Sequence, residues 1–185
     1  MTAKTTVTEL LREQHLNVKQ MFSEFVPAKA DARKELFGCL RATLAVHETA
    51  EEIVVYPALR SLGENGTKVA EARIAEEGEA KSVLAELERM DPGDAQFDPL
   101  FEKFRTSVLA HADAEESTVF PMLESQVEAA KLQQMADAIR VAERVAPTHA
   151  HPHGPDSAIG NVVVGPFVAI VDRVRDALQE HRKAG

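Results

Sequence analysis

The chain has 185 residues, 44% of them apolar and only 5% aromatic, and a formal net charge of −9. That length suffices for one well-buried domain, and the acidity works against nucleic acid or an anionic membrane surface as partner, since both attract basic proteins. Cys39 is the only cysteine, which excludes an intramolecular disulfide.

Neither an apolar leader over Met1–Glu9 nor an apolar run long enough to span a bilayer is visible. A cytoplasmic protein is therefore expected. Ala, Leu, Val and Glu are abundant and lean the chain toward helix.

Leu11, Val18, Phe22 and Phe25 or Val26 recur at helical spacing over residues 8–26, and His15 falls on the same stripe. Pro27 should end this helix. A second helix is predicted over residues 31–62, with Asp31 as its N-cap. Its inner face reads Leu36, Leu40, Thr43 or Leu44, His47, Glu51, Val54 or Val55, Ala58 and Leu62. Pro57 should kink it, and Gly63 with Asn65-Gly66 marks a stop and a turn.

The third helix, residues 67–90, is the most charged, with Ile74, Glu77 or Gly78, Lys81, Leu84 and Leu87 on its stripe. Asp98-Pro99 opens the fourth as cap and first helical residue. Leu100, Phe104, Ser107 or Val108, His111, Glu115, Thr118 or Val119 and Met122 form its inner face, and Pro121 should repeat the role of Pro57. Four amphipathic segments with short connections predict an all-α, up-down-up-down four-helix bundle over residues 1–125. Residues 126–185 then form a C-terminal appendage: a helix over 127–145, a His/Pro-rich loop and a short helix over 167–178.

The chemistry lies in a repeat. His47-Glu48-Thr49-Ala50-Glu51 and His111-Ala112-Asp113-Ala114-Glu115 both read His-x-x-x-Glu, 64 residues apart (111 − 47). An aromatic-Pro pair follows each at the same offset, Tyr56-Pro57 and Phe120-Pro121. Residues at i and i+4 share a helix face, so each copy points one imidazole and one carboxylate inward. Buried His and Glu are costly without partners. Together with His15 they form a donor set suited to iron, manganese or zinc, and bridging carboxylates suit a metal pair.

These residues resemble the hemerythrin-like, or HHE cation-binding, family over about residues 8–124. His15 matches the family's first-helix His, His47 and Glu51 its second-helix motif, and His111 and Glu115 its fourth. The resemblance implies a four-helix bundle with a non-haem di-iron centre bridged by the two Glu. It also implies a small ligand: dioxygen, nitric oxide or peroxide. The third helix departs from the pattern. In Ala75-Glu76-Glu77-Gly78-Glu79-Ala80-Lys81, Gly78 stands where the family carries its His. Glu77 turned inward, Tyr56 as a phenolate, or an open position would each complete the site.

A carboxylate or phenolate in place of an imidazole adds negative charge, which favours the ferric state. The expectation is a poor reversible dioxygen carrier. A binding or sensing protein, a di-iron enzyme decomposing peroxide or oxidising iron, and a structural bundle with a degraded site are the readings to separate. His149, His151 and His153 alternate in the tail and offer a surface metal site or a replacement ligand, while Cys39 is expected to be buried packing.

Overall fold

The computed structural model describes residues 5–144, so the His149–His153 stretch, His181 and the final predicted helix lie outside the described residues. Those described form helices and no strand. Helix α1 spans Val7–Phe25, α2 Ala30–Arg60, α3 Glu64–Leu87 and α4 Phe97–Ala114. A π-helical turn over Glu115–Val119 leads into α5, Phe120–Gln126, and α6 covers Ala129–Glu143.

Local chemistry accounts for most of these boundaries, with some shifts from the predicted ones. Thr6 and Glu9 form a reciprocal capping box at the start of α1. The residue preceding α2 is Lys29, without a side-chain cap, so Asp31 is not the N-cap. Likewise α4 begins at Phe97, which places Asp98 inside the first turn, where its charge suits the helix dipole. Gly63, at φ 100°, makes the reversal between α2 and α3. Asn65 and Gly66 then fall in the first turn of α3, where a turn was expected. A Cβ on Gly66 would lie 2.0 Å from the Leu59 carbonyl oxygen, so this close approach of α3 to α2 requires glycine.

The two prolines are not equivalent. Helix α2 runs through Pro57 to Arg60 in α-helical form. Before Pro121 the ladder slips, and the Phe120 N–H reaches the Glu115 carbonyl five residues back. A proline supplies no N–H to the carbonyl four residues earlier, and widening into a π turn is one relief for that vacancy.

The apolar side chains form two separate cores. One joins the C-terminal half of α1, the N-terminal half of α2, the C-terminal half of α3 and α4, around Phe22, Phe25, Phe37, Phe97, Phe101 and Phe104. The other joins the opposite halves of α1, α2 and α3 with Val119, Phe120 and Leu123. This exchange of halves is the signature of antiparallel neighbours, as an up-down-up-down bundle requires. Helix α6 lays Leu132, Met135, Ala136, Ile139 and Ala142 on the second core, against α1 and α2. Between the cores sits a layer of buried polar side chains: His15, His47, Glu48, Glu51, Glu77 and Glu115.

One sequence expectation fails on the outer faces, and two alternatives left open by the sequence are settled there. Cys39 is exposed, not buried. Val26 is 58% exposed, so Phe25 alone ends the stripe of α1. Gly78 is exposed with open space around its Cα, and it does not face the interior.

Two glycine substitutions should therefore act in opposite directions. Gly66→Ala is expected to destabilise the protein by about 1–3 kcal/mol through overpacking. Gly78→Ala should stabilise it by about 0.5–1 kcal/mol, since only the helix-interior cost of glycine is removed. Chemical denaturation of both variants checks this, and equal effects would contradict the packing described for α3.

Candidate metal centre

Helices α1 to α4 and the π turn each send polar side chains into the layer between the two cores. All seven residues picked out by sequence, His15, His47, Glu51, Tyr56, Glu77, His111 and Glu115, meet there. Their donor atoms fall into two groups. His15, His47, Glu51 and Glu115 each place one donor atom within 4.8 Å of the others. Glu51, Glu77 and His111 do the same. Glu51 belongs to both groups, and Glu115 Oε2 lies 3.4 Å from His15 Nε2 and 3.7 Å from His111 Nε2.

Each imidazole is braced from outside through Nδ1. His15 Nδ1 lies 3.0 Å from Glu116 Oε1, and His111 Nδ1 lies 3.1 Å from Glu76 Oε2. His47 Nδ1 lies 2.8 Å from Gln14 Oε1. All three partners are acceptors, so each Nδ1 donates its proton. The Nε2 lone pair of each ring is thereby turned to the interior, the tautomer that metal-ligating histidines use. His15 also stacks on Phe120, with ring centroids 5.6 Å apart.

The interior donors are short of partners. His15 Nε2, His111 Nε2, both Glu51 oxygens and Glu115 Oε2 are buried and make no hydrogen bond within the protein. Polar atoms left this way are rare because each costs its full desolvation energy. A divalent cation in each donor group would satisfy all of them, so the residues fit a metal pair.

The titration behaviour follows the same geometry. Burial, with repulsion from Glu115 and Glu77, pushes the Glu51 carboxyl well up. Glu77 is pushed up by burial and by Glu48, against the pull of Lys81. Glu115 is also penalised by burial, but the close approach of His15, 3.4 Å away, and the surrounding imidazoles outweigh this and hold it down at about 2. His47 is driven down to about 3, chiefly by burial and then by His15. Without cations, the layer thus relieves its crowding partly by protonating carboxyls.

Of the adjacent pair Glu77 and Gly78, between which the spacing does not choose, Glu77 occupies the inward position on α3 at 2% exposure. The Tyr56 hydroxyl hydrogen-bonds Glu77 and lies 3.2 Å from Glu115 Oε1. Burial, followed by repulsion from Glu77, pushes the phenol well above its ordinary value.

Sequence reasoning missed the outer partners Gln14, Glu76 and Glu116, and it missed Glu48. Glu48 is buried beside His47 and shares Lys81 with Glu52 and Glu77. The i,i+4 pair Glu48/Glu52 together with a lone lysine on the inner stripe of α3 was the available signal.

Burial raises the Glu48 carboxyl to about 7 even with Lys81 nearby. The folded-state value is above the ordinary one, so Glu48 carries a proton below about pH 7 and needs Lys81 only above it. Lys81→Met should destabilise the metal-free protein by on the order of 2 kcal/mol at pH 8. The loss should be clearly smaller at pH 5.5, as read by urea unfolding at the two pH values; equal losses would contradict this.

Comparison with known proteins agrees with this architecture. A family model described as the hemerythrin HHE cation binding domain matches residues 6–123. An uncharacterized hemerythrin-like protein of Schizosaccharomyces pombe is 33% identical over 138 residues, 74% of this chain and 68% of that protein. A DNA nickase of Nostoc is 27% identical over 139 residues, which is 74% of this chain and 39% of the relative. The crystal structure of a hemerythrin HHE cation binding domain-containing protein from Mycobacterium kansasii superposes with a TM-score of 0.68 at 25% identity, covering 76% of this chain and 86% of that one. With the family pattern spanning the bundle and its donor residues gathered between the two cores, the chain belongs to the hemerythrin HHE cation-binding domain family.

Proposed function

We propose that this chain is a non-haem di-iron protein that reacts with a small oxidant, peroxide or dioxygen, or with nitric oxide, and turns it over in preference to carrying it reversibly. The observation that carries this reading is the buried Glu77 on α3, standing in place of an imidazole and hydrogen-bonded to Tyr56. His15 and His47 would hold one ion, His111 and Glu77 the other, with Glu51 and Glu115 reaching both. Zinc and manganese suit the same donors, but mixed imidazole and carboxylate ligation with redox chemistry favours iron. Bound iron would supply electron exchange with the oxidant.

The protein's own groups shape that chemistry. Three carboxylates and a phenol beside three imidazoles make the donor set anionic, which stabilises the higher oxidation state. Tyr56 holds Glu77 and Glu115 in place as a donor, and loss of its proton would make it a further ligand. A cavity of about 20 Å³ adjoins the site between His15, His47 and His111, walled by Val18, Leu44 and Val108. Room for about one water molecule selects ligands of two or three atoms. Its apolar wall keeps bulk water from the reacting centre.

A carrier or sensor of dioxygen or nitric oxide remains the second reading, favoured by that cavity. The nickase activity of the Nostoc relative is not carried over. The match covers 39% of that protein, and the net charge of −9 here opposes DNA.

Elemental analysis should find two irons per chain, with near-ultraviolet charge-transfer absorption. A broad visible band that disappears in Tyr56→Phe would identify the phenolate as a ligand. Glu51→Ala should lose both ions, Glu77→Ala about one, and Gly78→His neither, because position 78 faces solvent. Peroxide should be consumed with oxygen release. A reversible oxygenated spectrum, with no peroxide turnover, would overturn the turnover reading in favour of carriage.

A further inference from the structure

The three site histidines are not braced alike. His15 and His111 meet carboxylates, Glu116 and Glu76, which in ionised form can only accept. His47 meets the side-chain amide of Gln14. An amide has an accepting end and a donating end, and it can present either one. With Oε1 toward the ring, His47 Nδ1 carries the proton and Nε2 is free for a metal. With the NH2 toward the ring, Nδ1 must accept, and the proton moves to Nε2. That is the nitrogen facing Glu51 at 3.4 Å, and protonated it cannot bind a metal.

What Gln14 meets on its far side decides between the two. There Nε2 of Gln14 donates to Glu143 Oε1 at 2.6 Å. Glu143 is the last residue of α6, twenty residues beyond the end of the matched family domain (143 − 123). Helix α6 is anchored by its own apolar face, with Ile139 and Ala142 fully buried in the second core, so Glu143 arrives at a defined place. A cleft of about 380 Å³ lies alongside, lined by Gln14, Asn17, Thr43, His47 and Glu143. Water in that cleft would donate and accept equally and would leave the amide without a preferred orientation.

We propose that Glu143 is a positioning residue for the metal centre: the accessory helix α6 sets the tautomer of His47 through the Gln14 amide. The consequence for the metal rests on the two-metal reading above, but the tautomer itself does not. Docking of α6 is thereby tied to the binding competence of one of the two donor groups, while the group containing His111 is independent of it.

The test is made first on the metal-free protein. Nitrogen-15 correlation spectra of the histidine rings should show His47 with its proton on Nδ1. Glu143→Ala should move His47 to a mixture of tautomers, and Glu143→Lys, which can only donate, should turn the amide and put the proton on Nε2. Glu143→Gln, which keeps an accepting oxygen, should restore the wild-type signal. His15 and His111 should not change in any of them.

Zinc titration against a chromophoric chelator gives the second readout. Glu143→Ala should weaken zinc binding at the donor group containing His47 roughly tenfold, the low end of the effect of outer-sphere partners. Adding Glu143→Ala to Gln14→Ala should cost nothing more, because the relay is already cut. An unchanged His47 tautomer in both Glu143→Ala and Glu143→Lys, with circular dichroism showing the fold intact, would overturn the proposal. A tautomer shift in a protein that binds no zinc would support the positioning role and overturn the metal reading instead.

Discussion

A layer of largely buried carboxylates and imidazoles, closed above and below by apolar cores, is the constraint on which the rest of this structure depends. Glu51 and Glu115 have no solvent exposure, and Glu77 and His15 have almost none. Desolvating such groups is among the most expensive things a small protein can do. Within the chain the partial remedies are protonation of Glu51 and Glu77 and the convergence of three imidazoles on Glu115. The orphaned donor atoms that remain are an argument for cations, since a metal pair would satisfy both charge and coordination.

The layer is asymmetric although the motif that builds it is repeated. One donor group is rich in imidazole, with His15 and His47. The other has a single imidazole, His111, and gains Glu77 with Tyr56 behind it. The second motif also differs in its backbone: the π turn after His111 places both Glu115 and its neighbour Glu116 in use, one toward the interior and one on His15 Nδ1. A regular α-helix separates neighbouring residues by about 100°, and the widened turn lies where both of these adjacent side chains are recruited. A cation bound at one group would therefore meet different surroundings from a cation bound at the other.

Outside the layer, a ring of acceptors fixes the orientation of every imidazole, and Lys81 balances Glu48, Glu52 and Glu77 on the α2–α3 side. The brace on His47 is the one that depends on an element beyond the four-helix bundle. Helix α6 docks by ordinary apolar packing, and its last residue completes a hydrogen-bond chain to His47.

Much of this was legible in the residues themselves. Helical periodicity located the four bundle helices, because an amphipathic stripe is a property of local sequence. The repeated His-x-x-x-Glu with His15 located the site, because residues at i and i+4 must share a face. What spacing could not decide was rotation. On α3, Glu77 and Gly78 are adjacent, and a rotation of one residue exchanges them. Packing of Ala80, Leu84 and Leu87 into the phenylalanine core settled it, turning Glu77 in and Gly78 out. The same holds for Cys39, which lies next to buried Leu40 but faces solvent. The outer braces Gln14, Glu76, Glu116 and Glu143 are polar residues on polar faces, indistinguishable in sequence from solvated ones. Only the approach of α1, α3 and the π turn brings the first three against the histidines, and that of α6 brings Glu143 against Gln14, because those contacts join positions 33 to 129 residues apart.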